Sequence, residues 1–261
     1  MKHAEAFGLE FETHEVDWGA TFVEDEIENE LDRIPHLDWT WAVHCETSSG
    51  VLNDMGSMAK MCSRRSIRLC MDCISSIGTV RVDLSGIYLA SGVSGKGLGA
   101  YPGLSMVYYS HAVKPAPENI PRCLDLGYYA LENGVPFTIS SNLLYAVRAA
   151  LEKFGSADAF DSTDRLARWM RTRLGDAGFE IVGPDGQSSP GVITLALPSS
   201  LDSRDLGRRL EEEGFHLGYN SSYLVDRNWI QIALMGDVSR ESLERLCSRL
   251  PKQLSTFDAS G

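Results

Sequence analysis

Positive charge is what this chain has too little of. Lys plus Arg number 24 against 36 for Asp plus Glu, a formal net charge of −12. A nucleic-acid backbone or an anionic membrane would repel such a surface unless a basic patch compensated. The pairs Arg64-Arg65 and Arg208-Arg209 are too short to form one and read as solvated helix faces. Apolar runs of membrane-spanning length are missing as well, so no span is expected. The opening Met1-Lys2-His3-Ala4-Glu5-Ala6 is charged, unlike a secretory leader. Six cysteines (45, 62, 70, 73, 123 and 247) are scattered, which suits a reduced, cytoplasmic setting. Cys70 and Cys73 form a C-x-x-C, but no second pair with zinc spacing follows and Asp72 falls between them on an expected strand. Ordinary buried thiols are the expectation there. The six histidines do not cluster either. Nucleic-acid, membrane and metal partners are therefore not expected, and neither an internal repeat nor a low-complexity tract is seen.

What is present suits a globular protein. With 261 residues, 43% hydrophobic and 23% charged, the chain can bury a full core in one large or two modest domains. Strands are expected at Phe11–Val16, Trp39–His44, 66–72, 87–91 and 104–109, with helices over Glu24–Ile34 and Met55–Arg64. Strands alternating with helical crossovers predict an α/β sheet that is mainly parallel. From Ser140 the pattern turns helical, with Leu144, Val147, Ala150 and Leu151 on one face, and a second helix runs Thr163–Ala177. Short strands at 179–182, 192–197, 215–217 and 229–234, with helices over 204–214 and 240–250, predict a small C-terminal α+β domain. The expected division is 1–150, a large cofactor-binding domain, and 151–261, the small domain.

Lys96 stands in Ser94-Gly95-Lys96-Gly97-Leu98-Gly99-Ala100-Tyr101-Pro102-Gly103, just past an apolar strand. A charge at the mouth of a buried strand is costly unless an anion or an aldehyde awaits it. Two phosphate-binding readings fail. A G-x-x-x-x-G-K-[ST] loop needs glycine at position 90 and a hydroxyl at 97, and the chain has Ala90 and Gly97. A dinucleotide fingerprint read from Gly95 would carry its helix into Pro102. Asp72 ends the earlier run Ile67-Arg68-Leu69-Cys70-Met71-Asp72. Acid at one strand end and lysine at a later one suit pyridoxal phosphate, whose aldehyde takes a lysine and whose ring nitrogen pairs with a carboxylate. Taken alone, Asp72 could instead cap a helix and Lys96 could be a surface lysine in a glycine-rich loop.

His44-Cys45-Glu46-Thr47-Ser48-Ser49-Gly50-Val51-Leu52-Asn53, then Met71-Asp72-Cys73-Ile74-Ser75-Ser76-Ile77-Gly78, then Ser94-Gly95-Lys96 with Pro102-Gly103, follow the order and spacing of the class V aminotransferases. The chain resembles that family through nearly all its length. The nearest branch is that of the 2-aminoethylphosphonate–pyruvate, alanine–glyoxylate and serine–pyruvate transaminases. The resemblance implies the pyridoxal-phosphate fold type I and transfer of an amino group between a small amine or amino acid and a 2-oxo acid. It implies Lys96 as the lysine that binds the cofactor and moves the proton. Asp72 is implied as the ring-nitrogen partner and Ser48 as a ring contact, with Thr47 and Ser49 as lesser candidates. His44 is either a ring neighbour or a satisfied supporting histidine, and Glu46 holds loop amides. Thr138 matches the position from which class V homodimers reach across to the neighbouring cofactor phosphate; it could equally cap the following helix.

The resemblance breaks in two places. The family's carboxylate-binding arginine lies in a late strand that here reads Ile230-Gln231-Ile232-Ala233, which makes Gln231 the substrate-binding candidate. Glutamine offers neutral hydrogen bonds of about 1 kcal/mol each in place of a bidentate ion pair. Arg227 would lie about 13 Å away along an extended strand and substitute poorly unless the chain bends. Second, relatives carry an opening segment with a first strand, a Ser/Gly-Thr phosphate loop and a ring-stacking aromatic, none of which stands before Phe11. Gly95 also replaces a phosphate-binding side chain. The chain thus reads as the C-terminal three-quarters of an aminotransferase: a fragment, a split-gene product or a decayed copy. The alternatives to an active transaminase are a non-catalytic class V-like subunit that binds cofactor weakly, and a cysteine desulfurase using Cys123.

Overall fold

The computed structural model describes residues 2–156 and 158–255. In chain order the elements are α1 (Lys2–Ala6), α2 (Glu24–Arg33), β1 (Trp39–Val43), β2 (Cys45–Glu46), β3 (Val51–Leu52), α3 (Met55–Arg64), β4 (Arg68–Asp72), β5 (Leu89–Val93) and β6 (Ser105–Tyr108). They continue with α4 (Leu126–Leu131), α5 (Ser141–Glu152), α6 (Ala159–Asp176), β7 (Glu180–Ile181), β8 (Val192–Ala196), α7 (Ser203–Glu212), α8 (Ser222–Arg227), β9 (Trp229–Ala233) and α9 (Arg240–Ser255).

The first sheet has the order β1-β4-β5-β6. β1, β4 and β5 run parallel, with Val43 opposite Asp72 and Asp72 opposite Ser91, and β6 returns antiparallel. Parallel pairing brings the carboxyl ends of three strands to one rim, and His44, Asp72 and the Lys96 loop all leave from it. α3 shows why the local sequence folds this way. Asp54 caps it by accepting from the Ser57 amide at 2.9 Å, and Met55, Met58, Met61 and Cys62 recur at helical spacing on its buried side. Together with Ile27 and Leu31 of α2 they cover Leu69, Met71 and Ala90 of the sheet.

β7, β8 and β9 form a separate antiparallel sheet. Ile193, Leu195, Ile230 and Ile232 on that sheet pack against Met170 and Leu174 of α6, Leu206 and Leu210 of α7, and Leu243, Leu246 and Leu250 of α9. In this second core, aliphatic side chains from three helices converge on one face of the sheet, which is how a small sheet becomes stable.

Two expected strands do not form. Phe11–Val16 alternates in sequence but has no neighbouring strand to bond, and its side chains are mostly exposed. Residues 215–217 are likewise not a strand; only Gly218 bridges to Gln231. The short helices α4 and α8 and the hairpin β2–β3 carry too few residues to show a period in sequence.

Candidate active site

Lys96 lies three residues beyond β5, and its loop is stitched by Ser94. The buried Ser94 hydroxyl donates to the Tyr101 carbonyl at 2.7 Å and accepts from the Leu104 amide at 3.2 Å. Gly95 is confined by Pro102, whose Cα and Cβ would lie 2.7 Å from any Cβ added there. Glycine at position 95 is thus a packing requirement of this loop. Gly78 and Gly97 bring the Asp72 turn and the Lys96 loop into direct contact. A Cβ on Gly78 would meet the Gly97 carbonyl carbon at 2.3 Å, and one on Gly97 would meet the Ile77 oxygen at 2.5 Å. Gly78 also has φ +86°, a conformation side chains disfavour.

The Lys96 Nζ donates to Ser75 Oγ at 2.7 Å and to Thr47 Oγ1 at 3.3 Å. Those two hydroxyls also bond each other. The lysine, the 47–50 turn and the turn after Asp72 therefore meet in one hydrogen-bonded cluster. Asp72 ends β4 half-buried; its Oδ1 accepts from the Ile74 amide at 2.9 Å and from the Ser91 hydroxyl at 3.4 Å. No ion pair joins Asp72 to Lys96 among the described residues.

His44 is buried against Ser76, with Nδ1 2.9 Å from Oγ. Burial lowers its pKa, opposed by the charge of Asp54, so the imidazole is held neutral. A cleft of about 580 Å³ opens beside it, lined also by Asn53, Asp54, Lys60, Arg81 and Asp83. Lys96 is not among its walls, so the cleft is separate from the lysine cluster. Glu46 serves the turn through its main-chain carbonyl, which accepts from the Ser49 and Gly50 amides at 3.2 and 2.7 Å. Its carboxyl pKa is raised by burial and then by Asp72.

Gln231 does not face open space. Its Nε2 donates to the carbonyls of Thr47 and Ser48 at 2.8 and 2.9 Å and to Thr194 Oγ1 at 2.9 Å. Its Oε1 accepts from Tyr223 OH at 3.3 Å. The amide is fully used in tying β9 to the turn that bears Thr47. Ser48 enters the same contact through its carbonyl. Thr138 lies exposed on the segment before α5, and Ser140 occupies the N-cap position of that helix. Cys123 is exposed ahead of α4, outside the cluster.

The structure thus brings Lys96, Asp72 and His44 to one rim and joins Ser48 to it through Gln231. Ser75, which makes the shorter bond to Lys96, was not singled out as a site residue; its signal was its place in Asp72-Cys73-Ile74-Ser75-Ser76. An amine held by hydroxyls, with a carboxylate at the end of the neighbouring strand, is a donor set that fits pyridoxal phosphate at its aldehyde and ring-nitrogen ends. Among the described residues no group of three or more His, Cys, Asp or Glu is placed to hold a metal ion, and no helix is long and apolar enough to cross a membrane.

No known family's sequence profile matches the chain. It is 29% identical over 219 residues to a 2-aminoethylphosphonate–pyruvate transaminase of Aeromonas hydrophila, covering 77% of this chain and 58% of that one. A 2-aminoethylphosphonate–pyruvate transaminase of Pseudomonas aeruginosa is 27% identical over 230 residues, covering 83% and 62%. Among solved structures, an alanine–glyoxylate aminotransferase from Nostoc sp. superposes with a TM-score of 0.85 at 26% identity, over 97% of this chain and 71% of that one. The ureidoglycine–glyoxylate aminotransferase of Bacillus subtilis, at 21% identity and TM-score 0.84, has the same fold. The chain spans about three-fifths of the length of the curated relatives it matches. The chain is thus similar in sequence to 2-aminoethylphosphonate–pyruvate transaminases and shares the pyridoxal-phosphate fold type I of the aminotransferases it superposes on.

Proposed function

We propose that this chain carries the lysine-bearing part of a pyridoxal-phosphate-dependent transaminase. The reaction would move an amino group from a small amine of the 2-aminoethylphosphonate, alanine or serine type to a 2-oxo acid such as pyruvate or glyoxylate, in the cytoplasm. The observation that carries this reading is Lys96 held by Ser75 and Thr47 at the strand rim that also bears Asp72.

When bound, the cofactor supplies an electron sink for the bond broken at the substrate carbon. Lys96 is the group positioned to attach the aldehyde and then to carry the proton. Ser75 and Thr47 fix its amine and can take its place as mutual hydrogen-bond partners when it moves, since their hydroxyls already bond each other. The Asp72 carboxylate favours a protonated ring nitrogen, and its bonds to Ile74 and Ser91 keep it oriented. His44, neutral and pinned to Ser76, shapes the rim without adding charge.

A homodimer is part of this proposal. α5 has no buried residue, and Leu144, Tyr145 and Leu151 on it are 45%, 69% and 48% exposed. Phe137 and Ile139, which flank Thr138, are exposed too. A twelve-residue helix with an uncovered apolar face invites a second subunit, and Thr138 would travel with it to the partner's cofactor phosphate.

One observation favours the non-catalytic alternative. Gln231, at the position of the family's arginine, is neutral and already committed to main-chain carbonyls. The test is amino transfer from 2-aminoethylphosphonate to pyruvate, followed as alanine formed, with wild type and Lys96→Ala. Turnover by the wild type and none by the variant supports the proposal. Cofactor binding at Lys96 without turnover by either protein would favour the non-catalytic subunit.

A further inference from the structure

Gln231 is held by main chain on both sides. In β9 it lies opposite Thr194 of β8, and its amide and carbonyl exchange bonds with Gly218 at 2.7 and 2.9 Å. The side chain crosses from this sheet to the turn that bears Thr47. Its Oε1 is taken by the Tyr223 hydroxyl at 3.3 Å. Its Nε2 reaches the carbonyls of Thr47 and Ser48 at 2.8 and 2.9 Å. The neighbouring Glu46 carbonyl receives two main-chain amides, but among the described residues no main-chain amide bonds the Thr47 or Ser48 carbonyl. Thr47 is also the residue whose hydroxyl accepts from Lys96 Nζ at 3.3 Å and bonds Ser75. A single residue therefore stands between Gln231 and the lysine.

The residue type suits this task. A glutamine amide carries an acceptor and two donors, whereas an arginine or lysine has no acceptor to offer Tyr223. With the acceptor engaged by Tyr223, the donors of Gln231 face the turn. Carbonyls left without a donor in a buried place are costly, so the turn settles where these donors meet it. Its far end is seated on the same sheet: the Gly50 carbonyl accepts from the Ser189 amide at 2.7 Å. A Cβ on Gly50 would lie 2.8 Å from the Val192 oxygen of β8. The whole 47–50 turn is thus moulded on the C-terminal sheet, while Thr47 points its hydroxyl at the lysine of the other one.

We infer that Gln231 is a positioning residue for Lys96, acting through Thr47. It fixes the backbone of the turn, the turn fixes the Thr47 hydroxyl, and Thr47 with Ser75 fixes the amine. Position 231 then works inside the protein and not on a substrate. Two consequences of opposite sign follow when the link is cut. An amine released from Thr47 turns more freely, so a small reagent that needs no orientation reacts with it faster. An aldehyde that must meet the amine from one fixed direction, as pyridoxal phosphate would, reacts more slowly. The second consequence rests on the transaminase reading; the first does not.

The test is competitive trace acetylation with acetic anhydride, mapped by mass spectrometry, with the exposed Lys60 of α3 as internal reference. Wild type is compared with Gln231→Met, which keeps the length of the side chain and removes its donors, with Thr47→Val, and with the double variant. The expected result is a Lys96-to-Lys60 ratio raised about fivefold in Gln231→Met, the factor that one ordinary hydrogen bond is worth. Thr47→Val should raise it at least as much, and the double variant no further than Thr47→Val, because both cut one link. Leu206→Ala, which loosens the C-terminal core without touching the turn, should leave the ratio unchanged; a merely structural role for Gln231 would do the same. An unchanged ratio in Gln231→Met, or additive effects in the double variant, would overturn the inference. If Gln231→Met does not fold, Tyr223→Phe decides: it removes only the hydroxyl that orients the amide, and a ratio equal to that of wild type would overturn the inference. Pyridoxal phosphate labelling with borohydride, run in parallel, should fall at Lys96 in the same variants. A wild-type Lys96 that takes no such label, while the acetylation ratio shifts as expected, removes the transaminase and leaves the positioning link standing.

Discussion

The two sheets of this protein are finished to different degrees. Around β7-β8-β9, aliphatic side chains from α6, α7 and α9 close over one face, and Ile193, Leu195, Leu206, Leu210 and Ile230 have no exposed surface. Around β1-β4-β5-β6 the interior is equally well packed, with Leu69 and Met71 at 1% exposure, but the margins are not. Trp39 and Trp41 on the edge strand β1 are 44% and 65% exposed, and Val107 on the opposite edge strand β6 is 48% exposed. Soluble proteins usually protect such edges with charge, proline or a covering element, and neither strand has a charged residue or a proline. α5 adds its uncovered apolar face. The C-terminal sheet is covered by its own helices, whereas the sheet that bears the lysine leaves apolar side chains exposed on both edge strands. The lysine cluster lies on the loops at the carboxyl-end rim of that sheet, held by Ser75 and Thr47 and not by either edge strand.

The largest effect should come where the two loops of the site touch. Gly78→Ala forces a Cβ into the Gly97–Leu98 backbone at a positive φ, and should cost about 3 kcal/mol or more. Urea midpoints measure this, and a loss within about 0.5 kcal/mol would mean that the loops are not in contact. Next, Leu206→Ala in the closed core should cost about 3 kcal/mol, against about 0.5 kcal/mol or less for Trp41→Ala on the open edge. Comparable losses would mean that the β1 edge is covered in solution, and the contrast between the sheets would fail.

Gln231→Leu should cost about 1–3 kcal/mol, because the Thr47 and Ser48 carbonyls lose their donor. A neutral outcome would indicate that water or another side chain takes over, and that the link between the sheets is looser than the bonds imply. A smaller effect is set by pH. Burial lowers the His44 pKa below its ordinary 6.5, against a weaker upward pull from Asp54. The folded protein then binds fewer protons than the unfolded chain just below that value, so stability present above it is lost as pH falls. His44→Asn should flatten the fall of the urea midpoint as pH drops below about 6.5. Wild type and variant falling in parallel would place the acid sensitivity elsewhere. The smallest effect on stability belongs to Leu144→Asp, which should leave the midpoint unchanged while light scattering reports loss of a dimer. A wild type that scatters as a monomer would count against the dimer proposal itself.

Much of this was legible in the sequence. The helix over Met55–Arg64 was expected with the bounds it has, and the strands ending at His44 and Asp72 were marked by β-rich runs. Lys96 and Asp72 were singled out by motif. Phe11–Val16 was misread because alternation reports a two-faced strip, whereas a strand also needs a neighbour to bond. Gln231 was expected to meet substrate because its position was legible; its partners, the carbonyls of Thr47 and Ser48, come from a segment more than 180 residues away. Arg227 was set aside on the assumption of an extended chain. The left-handed turn at Asn228 is a single-residue choice that no periodicity reveals. The Gly78–Gly97 contact was hidden for a similar reason: a glycine's close neighbour is a tertiary fact.

The most direct test of the central claim is chemical. Purified protein is mixed with pyridoxal phosphate, reduced with borohydride, digested and mapped by mass spectrometry, with Lys96→Ala as the control. The account predicts a visible absorbance band that reduction abolishes, with the phosphopyridoxyl label on Lys96 and lost in the variant. Label spread over surface lysines, or absent from Lys96 with cofactor in excess, would contradict it.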